Sequence, residues 1–186
     1  MKRMLIILSV ILLFPTAIIT HKVHICFSIP GNVGGEDQML VMFWNLENLF
    51  DWKRDSLNGS ESEAEFTSRG NKHWTRRRFV AKCNAIAKSI FWIKDSEGML
   101  PDVIGIAEVE NRFVLERLLE DTSLYKTDYE IVHFDSPDPR GIDVALLYRA
   151  SRLRLLGAVP LRVGGGTDSP IRTRDILLTK FRKPDG

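Results

Sequence analysis

Two short apolar runs that end on polar and acidic residues constrain this chain more than anything else in it: Met39–Asp51 (MLVMFWNLENLFD) and Asp102–Asn111 (DVIGIAEVEN). A charge taken out of water costs several kcal/mol unless it is paired or bound to metal, so a buried strand has no use for a carboxylate along its length. Asn45 and Glu108 therefore belong at strand ends, where layered α/β proteins place their ligand groups. An asparagine and a glutamate brought together at neighbouring strand ends make an all-oxygen site suited to Mg²⁺.

A chain of 186 residues supports one domain, or part of a larger one. Its 44% hydrophobic and 27% charged content is that of a folded protein and argues against disorder. The formal charge of +2 excludes a global basic field that would steer a polyanion, and leaving out Lys2, Arg3 and Lys22 turns it slightly negative. Residues 1–20 begin basic and run apolar from Met4 to Ile19, which suits a secretory signal better than a spanning helix of roughly 20 apolar residues. The expected organisation is a signal peptide or N-terminal anchor over 1–25, a linker over 26–38 and the domain over 39–186. Cleavage implies a secreted or cell-envelope protein, and retention implies a membrane tether. Cys26 lies near the processed end, which leaves Cys83 alone in the domain and implies no disulfide framework.

Met39–Trp44 reads as a buried first strand and 51–72 as a long surface loop. Phe79, Cys83, Ile86 and Ile90 share one face of a helix after Thr75. Arg76, Arg77 and Arg78 oppose that helix's dipole, which points either to another job for them or to a solvated basic face. Val103–Ala107 is apolar on both faces, as a central strand is. Asn111 is placed to cap a second helix that buries Val114, Leu115, Leu118 and Leu119. Tyr129–Phe134 and Ile142–Arg149 flank the turn SPDPRG as an antiparallel hairpin, and Arg152–Val163 and Thr173–Phe181 are further strands. The order predicts an α/β protein with helices packed on a mixed sheet.

WNLENLFD, EFTSRGNKHWTRRRF, IAEVENRFVLERLL, HFDSPDPRGIDVALLYR and TRDILLTKF, in this order, resemble the blocks of the endonuclease/exonuclease/phosphatase family. These are Mg²⁺-dependent phosphodiesterases similar to pancreatic-type deoxyribonuclease, and the likeness is to secreted or envelope members from bacteria. The resemblance covers roughly residues 39–182. It implies a four-layer α/β/β/α sandwich with a cleft at the edges of its two sheets. It also implies a metal (Mg²⁺, with Mn²⁺ or Ca²⁺ as alternatives) on Glu108, and Asn45 beside metal and scissile phosphate. Asn45, Glu108, Asp143 and Arg174 are then the catalytic set, and Arg140 and Arg174 the phosphate-binding pair. A hard cation prefers charged oxygen, and a planar guanidinium fork suits a phosphodiester.

Each of these residues has a plainer alternative. Glu108 is also placed to cap a helix, Asn45 to satisfy a turn, and Arg174 to form a surface ion pair. Glu47 and Glu110 are as readily structural as functional, and His73 and His133 read as structural or surface residues. The family carries a general acid/base histidine, an Asp-x-Asn pair and an Asp-His pair beyond TRDILLTKF, and no such blocks precede Gly186. The resemblance therefore leads one to expect a sandwich whose C-terminal half is missing. It also implies a phosphate-ester hydrolase, nucleic acid among its substrates, whose residues 1–186 do not turn over alone and self-associate through an open sheet. The alternative is a non-catalytic remnant or assembly subunit that keeps a metal-binding half-site.

Overall fold

A computed structural model describes residues 3–8, 25–29, 38–53, 64–164 and 171–184, the first two segments as backbone strands. The strands are β1 (Arg3–Leu8), β2 (Ile25–Ile29), β3 (Met39–Leu49), β4 (Val103–Val109), β5 (Tyr129–His133), β6 (Asp143–Arg149), β7 (Arg154–Leu161) and β8 (Ile176–Arg182). The helices are α1 (Arg76–Glu97) and α2 (Arg112–Glu120), followed by a 3-10 turn at Ser123–Lys126.

One sheet has the order β2-β3-β4-β6-β5 and a second the order β1-β8-β7. β3 and β4 are parallel, because α1 carries the chain back across the sheet between them; every other pair is antiparallel. Alternation along β3 divides the core in two. Leu40, Met42, Trp44 and Leu46 pack with Phe79, Cys83, Ile86 and Ile90 of α1 and with Val114, Leu115 and Leu118 of α2. Met39, Val41 and Phe43 point the other way, into a core shared with Leu177 and Phe181 of β8. The described residues thus form three layers, helices on a sheet on a second sheet. The α/β class is as expected; a fourth, helical layer is not among the described residues.

Both helices begin where their caps predict. The Thr75 side chain accepts from the Arg78 N–H, and Asn111 Oδ1 accepts from the Val114 N–H at 3.1 Å. α1 ends at Gly98, whose φ of 75° is the left-handed conformation a glycine adopts without a Cβ penalty. Arg76, Arg77 and Arg78 are exposed, as a solvated face requires.

Three differences from the sequence expectations concern strands. β3 runs on past Trp44 to Leu49, and β4 past Ala107 to Val109, so both reach into the polar motifs. β2 lies inside the expected linker and pairs with β3, from Ile25↔Phe43 to Ile29↔Met39. The run ICFSI is rich in strand-forming residues, and it covers an edge of β3 that otherwise presents unpaired backbone groups. β1 lies inside the apolar leader and pairs with β8, from Arg3↔Arg182 to Leu8↔Leu177. The rest of the leader, residues 54–63 of the expected 51–72 loop and residues 165–170 lie outside the described residues.

Candidate active site

The ends of β3 and β4 are held in an irregular geometry. Asn45 continues the Met39, Val41, Phe43 series toward the second sheet and stands in register with Ala107, immediately before Glu108. The register shifts beyond Asn45 on β3 and beyond Ala107 on β4. Glu47, Asn48 and Glu108 take positive φ values of 53°, 64° and 65°. Such conformations cost a non-glycine residue about 1–3 kcal/mol each and persist only where the surroundings enforce them.

Here the surroundings do so. Asn45 Oδ1 accepts the Glu47 N–H at 2.8 Å. From α1, Lys82 Nζ donates to the carbonyl oxygens of Glu47 at 2.7 Å and Asn48 at 3.2 Å. Glu110 ties the two strand ends together: its N–H donates to Leu49 O at 3.1 Å and its carboxylate accepts from the Asp51 N–H. Glu110 is buried in this staple and Glu47 is exposed. Strand ends distorted in this way re-aim Glu108 out of the alternating pattern.

Glu108 faces a chain of alternating charges. Its side chain is 18% exposed, and Oε1 lies 3.8 Å from Arg174 Nη1. No hydrogen bond ends on its carboxylate among the described residues. Arg174, just before β8, is 13% exposed and places Nε 3.8 Å from Asp138 Oδ2. Its Nη1 is buried without a hydrogen-bond partner among the described residues. Asp138 is 2% exposed and takes a two-pronged contact from Arg140, Nε to Oδ1 at 2.9 Å and Nη2 to Oδ2 at 2.6 Å. The Arg140 N–H adds a third bond to Oδ1 at 3.0 Å. Burial raises the Asp138 carboxyl, but hydrogen bonds from Arg140 and the charges of Arg140 and Arg174 outweigh it and hold it below the usual carboxylate range. The Arg140 guanidinium is raised in turn by its hydrogen bond to Asp138, against burial, with the charge of Glu108 contributing.

Arg174 thus lies beside Glu108 and is linked to Arg140 through Asp138, a residue that sequence reasoning missed. Its signal was the turn Asp138-Pro139-Arg140-Gly141, closed by Gly141 N–H to Asp138 O at 3.0 Å with Gly141 at φ 67°.

Asp143 was expected in one catalytic set with Asn45, Glu108 and Arg174. By alternation with Ala145 and Leu147 it lies on the helix side of its sheet, opposite to the face Asn45 occupies. His133 shares that face, and its Nε2 lies 3.1 Å from Asp143 Oδ2 as a diagonal cross-strand neighbour. Asp143 Oδ1 accepts the Ser136 N–H at 2.8 Å, and Ser136 Oγ donates to Ile142 O at 3.3 Å, closing the β5–β6 loop. The His133 side chain is 3% exposed, which fits the structural one of its two expected readings. Ligand atoms of His133, Asp135 and Asp143 lie within 4.8 Å of one another, a second group able to hold a metal.

The β3–β4 edge thus combines an open carboxylate, a neighbouring amide and a buried guanidinium with a donor to spare. That set can bind a cation and an anion side by side. A family model described as endonuclease/exonuclease/phosphatase family matches residues 40–183. Comparison with curated proteins gave no match, and comparison with solved structures gave none either.

Proposed function

Because the chain belongs to the endonuclease/exonuclease/phosphatase family of phosphodiesterase- and nuclease-type hydrolases, we propose that its β3–β4 edge binds a divalent metal and a phosphate ester for hydrolysis. The observation that carries this is the open Glu108 carboxylate 3.8 Å from Arg174, whose buried Nη1 has no hydrogen-bond partner among the described residues. A buried donor left unsatisfied costs about 1–3 kcal/mol, which an anionic oxygen arriving from a ligand would recover.

The residues fit a hard cation. Glu108 offers carboxylate oxygens that no hydrogen bond from the described residues occupies, and Asn45 Oδ1 keeps a second lone pair beside the one taken by Glu47. Glu108 would be the principal ligand and Asn45 its neighbour, with Mg²⁺ preferred over Mn²⁺ or Ca²⁺. When bound, such an ion polarises a phosphoryl oxygen and stabilises a leaving alkoxide. Arg174 would contact the phosphate with its fork, and Arg140 would add a second positive charge at the same rim. Asp143 would serve indirectly, by fixing the loop that carries Arg140.

Among the described residues no histidine is in contact with Glu108, Asn45 or Arg174: His133 pairs with Asp143 on the helix side of its sheet, opposite to the face of Asn45. General acid/base catalysis is worth about 10²–10⁴-fold. A phosphodiester is the substrate class, nucleic acid included. The apolar leader supports a secreted or envelope location, or a tether if it is retained.

A second function, as a metal-binding assembly subunit, draws on β7, where Leu156, Val159 and Leu161 are exposed. Sedimentation that becomes heavier with concentration, and is reversed by V159K, would favour it.

The test is calorimetric titration with bis(p-nitrophenyl) phosphate, with and without Mg²⁺, for the unsubstituted chain and Glu108→Gln. Mg²⁺ should strengthen binding in the former and have no effect in the latter. Binding that ignores both Mg²⁺ and the Glu108 substitution overturns the proposal.

A further inference from the structure

The structure assigns to Asp138 the role of a positioning residue that presets the Arg140–Arg174 pair for a phosphate group. This rests on the phosphate-binding function proposed above and adds a residue to it. Arg140, 48% exposed, and Arg174, 13% exposed, both approach the Asp138 carboxylate, and two like charges so placed repel each other. Asp138 removes that conflict. Its buried carboxylate takes both prongs of Arg140 and the backbone N–H of the same residue, and it lies 3.8 Å from Arg174 Nε.

Geometry decides which donors remain for a ligand. Arg174 presents Nε toward Asp138 and Nη1 toward Glu108, and neither contact is as short as a hydrogen bond. Its guanidinium is held by charge on two sides while Nη1 stays unbonded, so the site keeps a buried donor in place before any ligand arrives. Preorganisation of this kind lowers the ordering cost of binding. Asp138 is itself fixed by the turn that Gly141 closes and by the Asp143–Ser136 bond at the loop's start. With Glu108 ionised the four side chains sum to no net charge, so a cation on Glu108 would leave the arginine pair's charge for an anion.

The experiment measures inorganic phosphate binding to the full 186-residue chain by calorimetry, alongside thermal midpoints, for D138N, R140Q, R174K and the double variant D138N/R140Q. Asn has nearly the shape of Asp but lacks the charge. D138N should weaken phosphate binding about tenfold or more with a thermal midpoint within a few degrees of the unsubstituted chain. In the R140Q background the same substitution should cost less, because part of its effect passes through Arg140. D138E, which restores the charge, should recover part of the loss. Phosphate binding that is lost in R174K but intact in D138N overturns the positioning role and leaves the site assignment standing. Absence of phosphate binding by the unsubstituted chain overturns both. If D138N fails to fold, arginine Nε–H resonances of D138E decide: they should retain a protected Arg140 signal, and its disappearance with phosphate binding unchanged contradicts the role.

Discussion

Arg174 carries the phosphate half of the site through the shape of its side chain. A lysine there would keep the charge but offer a single compact ammonium in place of a planar fork. R174K is expected to weaken inorganic phosphate binding about tenfold, read by calorimetry, and equal affinity would return Arg174 to an ordinary ion pair. Asp128 marks a different kind of residue, one that works for stability alone. Burial pushes its carboxyl up, but hydrogen bonds from Ser151 and from Arg149, with the charge of Arg149, bring it down to about 2. A depressed carboxylate contributes stability that is complete above its unfolded value of 3.8 and is lost as pH falls toward 2. Urea midpoints of D128N and the unsubstituted chain should therefore converge between pH 4 and 2, with the variant weaker above that window. A constant difference down to pH 2 would contradict the assignment.

At the scale of elements, local chemistry and distant partners separate what the sequence reveals from what it hides. α1 and α2 were legible because Thr75, Asn111 and the 3.6-residue apolar stripe act within a few residues of one another. The ends of β3 and β4 were legible in outline, because Asn45 and Glu108 interrupt apolar runs. Their true extent was hidden, since the positive-φ segment at Glu47 and Asn48 is held by Lys82 from another element. Asp138 was hidden for the same reason: its meaning depends on Arg174, far along the chain. Asp102 shows how much such distant contacts hold. Its Oδ2 accepts the Leu40 N–H at 3.1 Å and its Oδ1 accepts Arg152 Nε at 3.0 Å, clasping β3, β4 and the β6–β7 turn at the end remote from the site. Asp102→Ala should cost about 1–3 kcal/mol in urea unfolding, because a buried N–H loses its acceptor. Asp102→Asn should cost less, and equal losses would mean that the side chain's size, not its acceptors, matters there.

Across the whole molecule, two cores share one sheet, and the proposed site lies where the polar ends of β3 and β4 meet the segment leading into β8. The buried Cys83 thiol belongs to the helix-side core; burial, with Lys82 opposing and Asp121 adding, pushes it up to about 12. It should resist alkylation at pH 8 until the chain unfolds, which makes it a reporter of global opening. The helix side also holds the rival metal group of His133, Asp135 and Asp143, opposite to the face on which Asn45 stands. Mn²⁺ is paramagnetic and broadens nearby nuclear resonances, so its placement separates the two faces directly. Titrating the chain with Mn²⁺ should first broaden the amides of Asn45, Ala107, Glu108 and Val109, and Glu108→Gln should abolish that effect. Broadening that begins at His133 and Asp143, and leaves Ala107–Val109 sharp, would contradict the metal site at Glu108.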